Sequence, residues 1–366
     1  MLLATTGDLK VGQFGMPVQA SEVAPVIDNI FNFITWICIF FFVIIVGFIV
    51  FFMFKYSKPP GTPATSNVTH NTPIEVAWTV LPLILVIFIF YKGMDGYIDL
   101  RSAPLGAYEV NVVAQKWNWT FHYKNGATTS VLIVPANRPV KLIMSSQDVL
   151  HALFIPDFRV KQDVVPGRIT TLWFTAIKAG EYDLYCAEYC GQQHSTMLTK
   201  VIVLDDADFD TRITEEANYI DKIPPDMLYV AGPRLYMRCK SCHSLDGSDM
   251  TGPTWQGLWD RTVDGEQVFT DGTTLSNLMG AGKLFDGPED YVTQSINNPQ
   301  QKIRMNYSGS MPTFKGQLGP LEVMAIIDFL KHLDKFDTDG NPLDSADDLA
   351  TILDAAKAAE AASSNE

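Results

Sequence analysis

Twenty-five consecutive residues, Ile30 to Phe54, read IFNFITWICIFFFVIIVGFIVFFMF and contain no charged side chain. A helix needs roughly 20 apolar residues to cross a bilayer, so this run commits the chain to a membrane. A cleaved signal peptide would have a shorter apolar core, a basic start and a small-residue cleavage site. None is visible, and a retained helix is expected. A second apolar run, Val76 to Tyr91, becomes long enough to span once Thr72-Pro73-Ile74-Glu75 is added as its first turn. That tetrapeptide reads as a capping box, with Thr72 as N-cap and Pro73 at the first helical position. The expected helices cover about 27–56 and 73–94 and form a hairpin within residues 1–104. The loop between them carries Lys55 and Lys58 and no acid, whereas the N-terminal flank sets Lys10 against Asp8, Glu22 and Asp28. The cationic loop belongs in the cytoplasm, which places both chain ends outside.

Charge divides the remainder. Residues 1–204 hold 14 Lys/Arg and 13 Asp/Glu, and residues 205–366 hold 13 and 28. An acid excess of that size argues against nucleic acid as a partner, because phosphate binding needs clustered cations. It fits a soluble acidic module joined to a near-neutral one. Residues 105–205 are rich in β-branched and aromatic side chains, in YEVNVVAQKWNWTFHY, RPVKLIMSS, RITTLWFTA and TMLTKVIVL. Turn residues such as Pro166-Gly167 punctuate them, and several short strands at this spacing predict a small β-sandwich. Residues 206–227 are acidic, end in Pro224-Pro225 and read as a linker. From 228 to 336 the pattern is helical with Gly-rich loops, and 337–366 is an acidic, Ala-rich tail expected to be mobile.

The chain has five cysteines. Cys38 lies in the apolar run and reads as an inert buried thiol. The others form two close pairs, each followed by histidine, a spacing that suggests metal or cofactor chemistry. In YDLYCAEYCGQQHSTM, Cys186, Cys190, His194 and Met197 crowd one loop between two expected strands. His151, in DVLHALFIP, sits at a comparable strand end. Thiolates, imidazoles and a thioether together suit copper. A disulfide, a structural zinc site and a purely packed Met197 are compatible with the same residues.

CKSCH, Cys239 to His243, is the signature for covalent haem c: two thiols add to the haem vinyls and the histidine is placed to ligate iron. The second axial ligand must come from downstream. Met311, in GSMPTF, lies in an expected loop; Met324 falls inside the amphipathic run LEVMAIIDFL and reads as core. Met305 competes with Met311, and His332 at a helix end competes weakly.

With these residues in hand, CAEYCGQQHSTM resembles the dinuclear copper loop of subunit II of haem-copper cytochrome oxidases, and the likeness extends over about residues 25–205. DVLHALFIPDFRVKQDVVPGR resembles the family segment that holds the upstream histidine, and residues 228–336 resemble a class I cytochrome c domain. The whole resembles subunit II of a caa-type oxidase with its cytochrome c fused at the C-terminus. The resemblance implies a two-helix transmembrane hairpin, a cupredoxin-like Greek-key β-sandwich and an all-α cytochrome c domain. It implies that Cys186 and Cys190 bridge two coppers, that His151 and His194 each cap one, and that Met197 is a weak ligand. The carbonyl of Glu188 would complete the copper A set, and its carboxylate would reach a magnesium ion at the border with subunit I. AQKWNWTF resembles the stretch through which electrons enter, which assigns that role to Trp117. The chain departs from the family there at Lys116, where glutamine or histidine is commoner, and at Asn118, which replaces an aromatic. EVAWTVLP resembles the segment whose glutamate, here Glu75, opens a proton channel into subunit I.

The implied function is to accept electrons through haem c on Cys239, Cys242, His243 and Met311. They would pass to the copper pair and on to the dioxygen site of subunit I, since this chain contains no such site. Retention of the copper residues points to a cytochrome or a respiratory complex as donor, not a quinol. Other oxidase subunits and membrane lipid are the further partners. The implied location is a bacterial cytoplasmic (inner) membrane with copper and haem domains on the periplasmic side. A copper-containing nitric oxide reductase shares this subunit design, and the partner subunit distinguishes the two.

Overall fold

The structure, a computed structural model, describes residues 15–63 and 68–363; Asp8 and Lys10 lie outside the described residues. Two helices open the chain, α1 (Ala24–Lys55) and α2 (Thr72–Arg101). At 1.5 Å per residue both exceed the ~30 Å hydrocarbon core. They cross through ring contacts such as Phe33 with Phe88, 5.8 Å between centroids. Their apolar side chains otherwise face outward, as membrane helices require. Cys38, expected to be buried, lies on that outward surface, because a lone hairpin has no interior to receive it.

The start of α2 corrects the expected cap. The N-cap is Asn71, one residue before Thr72. Its Oδ1 accepts from Ile74 N at 3.4 Å, and Asn71 N donates to Glu75 Oε1 at 2.8 Å. Asparagine outranks threonine at this position, so the helix begins one residue earlier with the reciprocal pairing intact. The far end runs about two turns past the expected 94. Its last residues reach the β-domain: Trp173 Nε1 donates to Asp99 O at 2.9 Å, and Arg101 to Gln162 at 2.7 Å.

The first helix is tied to the same face. Arg159, in a left-handed conformation at φ 58°, donates through Nε to Asp28 Oδ1 at 2.7 Å and also bonds the carbonyls of Pro17, Val18 and Pro156. Both members of this ion pair are buried. The sandwich is thus fixed to the ends of both membrane helices.

Ten strands follow: β1 (Tyr108–Gln115), β2 (Asn118–His122), β3 (Thr128–Thr129), β4 (Leu132–Pro135), β5 (Pro139–Ser146), β6 (His151–Ile155), β7 (Val160–Val164), β8 (Thr170–Thr175), β9 (Gly180–Cys186) and β10 (Leu198–Leu204). They form two sheets of five, ordered β3-β2-β1-β5-β8 and β4-β10-β9-β6-β7. Strand β5 alternates buried and half-buried residues along its whole length, the period of two that a one-sided sheet imposes. Phe121, Leu142, Met144, Phe158 and Phe174 fill the space between the sheets.

Residues 206–227, expected as a linker, begin with a helix, α3 (Asp206–Asn218). Phe209 and Ile213 insert into the sandwich core, with Phe209 5.1 Å from the Tyr108 ring. Asp206, Asp208 and Asp210 occupy the exposed face, while Glu216 is buried in an ion pair with Arg234. The helical region continues with α4 (Gly232–Tyr236), α5 (Leu258–Val263), α6 (Leu275–Leu278), α7 (Pro288–Asn297) and α8 (Pro320–Lys331). Helix α4 passes α8 so closely that a Cβ at Gly232 would collide with the Phe329 ring. Met324, expected as core, is exposed, because Val323, Ile326, Ile327 and Leu330 take the inner face of α8. The tail is also partly ordered. Helix α9 (Leu349–Ser363) lays Leu349, Ile352 and Leu353 on the helical core, and Tyr229 donates to Asp347 at 2.6 Å.

Candidate copper and haem sites

Sheet pairing brings His151 and Cys186 together. Strand β6 begins at His151, strand β9 ends at Cys186, and their antiparallel register sets Leu153 opposite Cys186. The loop between β9 and β10 is closed at its base by Cys186 N donating to Met197 O at 3.1 Å, and held to β6 by Ala187 N donating to Ala152 O at 2.8 Å. Within it, Gly191 adopts φ 125° against the Trp117 ring; a Cβ there would lie 3.1 Å from Trp117 Cζ2.

The side chains converge. Cys186 Sγ lies 3.8 Å from Cys190 Sγ, 3.9 Å from His151 Nδ1 and 3.3 Å from Glu188 O. Cys190 Sγ lies 3.5 Å from His194 Nδ1 and 3.7 Å from Met197 Sδ. Donors ~2.0–2.3 Å from one metal in a tetrahedral arrangement stand about 3.5 Å apart, so these spacings suit metal ions between them. The sulfurs are far beyond the ~2.05 Å of a disulfide. Four donors would complete a zinc site; the thioether and the carbonyl exceed that set and favour a larger, softer centre.

Electrostatics point the same way. The hydrogen bond from Cys190 holds the Cys186 thiol well below its ordinary range, and the same bond, with burial, pushes Cys190 up. The pair carries one negative charge readily and a second only if a cation lies between the sulfurs. His151 is fully buried. Burial opposes its protonation, but hydrogen bonds to Asp148 and Cys186 outweigh this and raise its pKa. Its Nε2 faces Asp148 Oδ1 at 2.9 Å, which leaves Nδ1 aimed at sulfur. A carboxylate behind a histidine in this way fixes the ring of a metal ligand. Asp148 also accepts from Lys116 N at 2.7 Å and Val149 N at 2.6 Å. Burial raises its pKa, but these bonds outweigh it and hold the carboxyl below its ordinary value.

The second site lies in the helical region. Cys239, Cys242, His243 and Met311 line one cavity walled by Trp255, Tyr291 and other apolar side chains. His243 Nδ1 lies 2.7 Å from Pro253 O; a carbonyl only accepts, so the proton sits on Nδ1 and the Nε2 lone pair is free. Burial depresses the His243 pKa and keeps the ring neutral, while burial pushes Cys239 up to about 12 and keeps it a thiol. A Cβ on Gly252 would stand 2.6 Å from His243 Cε1, so this glycine makes room for the imidazole. These residues fit a haem. Met305 is partly exposed and lines a neighbouring polar cavity. His332 stacks on Tyr229 at 4.6 Å and bonds Asp328 O, outside the cavity wall.

The two sites face each other across Trp117. Its indole Nε1 donates to Cys190 O at 3.3 Å, and its neighbours Lys116 and Asn118 line the haem cavity. Trp119 packs against the His151 ring at 6.1 Å. Glu75 lies at the loop end of α2, away from both sites, with its carboxylate on Asn71 N. Sequence reading passed over Asp148, Gly252 and Pro253. The available signals were an acid three residues before a candidate histidine and a Gly-Pro pair shortly after another.

Residues 10–93 match the family described as cytochrome C oxidase subunit II, transmembrane domain, and 126–205 match its periplasmic domain. Residues 229–334 match cytochrome c. Among curated relatives, the chain is 30% identical over 251 residues to cytochrome c oxidase subunit 2 of Thermostichus vulcanus, covering 54% of this chain and 76% of that protein. It is 28% identical to the alternative cytochrome c oxidase subunit 2 of Bradyrhizobium diazoefficiens, covering 53% and 81%. It is also 28% identical to cytochrome c oxidase subunit 2 of Alkalihalophilus pseudofirmus, covering 63% and 72%.

Proposed function

The chain belongs to the cytochrome c oxidase subunit II family, and from that premise we propose that it relays electrons through two sites of its own to a dioxygen-reducing subunit I. It is an inner-membrane protein with two spans and a periplasmic β-domain, followed by a cytochrome c domain. The residues proposed to hold covalent haem are Cys239, Cys242, His243 through Nε2, and Met311. Those proposed to hold two coppers are His151, Cys186, Cys190, His194 and Met197, with the Glu188 carbonyl. When bound, the haem and the copper pair supply one-electron redox chemistry.

The chain's own residues orient, desolvate and connect. Cys186 and Cys190 are buried among sandwich side chains, and the loop that bears them is pinned at both ends by backbone bonds, which supports a site that changes little between charge states. Asp148 holds the His151 tautomer. Trp117 bonds the copper-loop carbonyl Cys190 O, and its chain neighbours Lys116 and Asn118 line the haem cavity, so this short segment lies between the two sites. That bridging position is the observation that carries the reading. Glu75 is proposed to take up protons for subunit I from the cytoplasmic side. The Glu188 carboxylate is proposed to meet a magnesium ion at that subunit's border. The upstream donor is proposed to be a cytochrome or a respiratory complex.

The test is the purified complex supplied with a reduced cytochrome. Oxygen consumption that collapses in Trp117→Ala, with haem and copper contents retained, supports the relay. Undiminished consumption in that variant rules out Trp117 as the bridge, and nitric oxide consumption in place of oxygen assigns the complex to the reductase class.

A further inference from the structure

The hydrogen bonds that join the cytochrome domain to the sandwich run between neutral groups, although Lys116 borders the contact and the buried Arg238 donates to Gln317 O at 3.4 Å within the cytochrome domain. Gln317 Nε2, with two hydrogens to give, lies 3.1 Å from Gln115 Oε1 and 3.0 Å from Gln147 Oε1 across the contact, and 3.0 Å from Thr313 O in its own domain. Gln193 Nε2 donates to Thr251 Oγ1 at 3.1 Å, and Asn118 Nδ2 to Arg238 O at 3.4 Å. Cys242 packs against the sandwich core. The ion pair of Glu216 on α3 with Arg234 also links the two regions, but it lies where the chain itself passes between them, and its carboxylate is buried. Among the described residues, no ion pair joins a sandwich strand or loop to the cytochrome domain.

We propose that Gln115, Asn118, Gln147 and Gln193 form a dock of neutral hydrogen-bonding side chains that holds the chain's own cytochrome domain over Trp117 independently of salt and closes that face to external electron carriers. The inference rests on the haem and copper reading above. Two separate proteins that meet by diffusion use complementary charge to raise their encounter rate, and salt screens it. A tethered partner is already present at an effective concentration of order mM, so charge steering is unnecessary and hydrogen bonds can supply the register. Trp117 is 5% exposed, and Lys116 and Asn118 on either side of it already form wall of the haem cavity. A foreign carrier would have to displace the domain to reach it. The fit is imperfect: Gln115 Nε2 and Gln317 Oε1 are buried without a partner. Such orphans weaken the contact, so loss of Gln317, whose amide reaches both Gln115 and Gln147, shifts the docking balance measurably.

The experiment uses the whole complex. After flash reduction of the haem, copper reduction is followed from about 0.01 M to about 1 M KCl, over which the screening length falls from about 30 Å to about 3 Å. The wild-type rate is expected to stay level. Gln317→Ala is expected to slow it about five-fold or more, the equilibrium effect of one lost neutral hydrogen bond, with haem and copper spectra unchanged. Adding Gln147→Ala to that variant is expected to slow it no further, since the two act through one bond. Hydrogen exchange at residues 115–118 and 147, which needs no cofactor, is expected to quicken in Gln317→Ala. A wild-type rate that falls steeply with salt overturns the dock. So does a Gln317→Ala variant with wild-type transfer and exchange. Added soluble cytochrome that reduces copper before haem overturns the closure. If copper is never reduced in wild type while exchange still responds to Gln317→Ala, the dock stands and the relay reading fails.

Discussion

Asp148 is not itself one of the proposed copper ligands, yet it should set copper affinity through His151. Its carboxylate accepts from His151 Nε2, Lys116 N and Val149 N. Asp148→Asn preserves size but replaces one acceptor oxygen with a donor. With its oxygen turned to His151, its amide meets the Lys116 N–H, and one backbone bond is lost along with the charge. Loss of a partner behind a metal-bound histidine typically costs 10–100-fold in affinity, or about 1.4–2.7 kcal/mol. Loss of a hydrogen bond to a charged group costs about 1.5–3 kcal/mol of stability. Copper affinity is read by chelator competition, and stability by denaturant unfolding of the metal-free protein. Both should fall. The pH dependence follows from the lowered carboxyl pKa. The stabilisation is complete above the unfolded value of about 3.9 and is lost as pH drops through the lower folded value, so wild type and variant should converge only in that acid range. Reduced stability with wild-type copper affinity would refute the reasoning and leave Asp148 only as a pin between the Lys116 and Val149 backbones.

Four further outcomes are expected. Gly252→Ala should displace His243, because its Cβ would stand 2.6 Å from the ring; a low-spin haem spectrum identical to wild type contradicts this. Met311→His should keep six-coordinate iron but lower its potential, because a thioether favours ferrous iron, while Met305→Leu should change neither; survival of the near-infrared methionine band in the first and its loss in the second reverses the assignment. Glu75→Ala should slow turnover without affecting haem or copper reduction, at about 0.5–2 kcal/mol of helix stability; normal turnover in assembled enzyme leaves Glu75 as part of the cap only. Arg159→Ala removes the buried partner of Asp28 and should cost about 3–5 kcal/mol, seen as easier thermal release of the β-domain from the membrane helices; an unchanged transition contradicts the strut.

What the sequence disclosed depended on how local the signal was. The membrane helices were legible because an uncharged run has one physical solution, although the end of α2 was not: Asp95, Asp99 and Arg101 look like loop until Trp173 and Gln162 receive them. Cys186, Cys190, His194 and Met197 lie within one loop, so spacing exposed them. His151 needed the pairing of β6 with β9 to join them, and the resemblance supplied it before the register did. Helix α3 was hidden because its acids outnumber Phe209 and Ile213, the large apolar side chains it buries in the core. Asp148 and Gly252 stand near His151 and His243 in sequence, but only the fold shows that one bonds the imidazole and the other makes room for it, and Gln317 acts across distances that no periodicity encodes. Gln317 bonds residues 170 and 202 positions away.

The central claim is that Cys186 and Cys190 hold two coppers as one redox unit beside a covalent haem on Cys239 and Cys242. Electron paramagnetic resonance of the oxidised protein, paired with metal analysis, tests it most directly. Two coppers per haem iron are predicted, with the hyperfine pattern of one unpaired electron shared equally by two copper nuclei, and with haem that stays on the chain through acid-acetone extraction. One zinc in place of copper, or the pattern of a single isolated copper nucleus, would contradict the account.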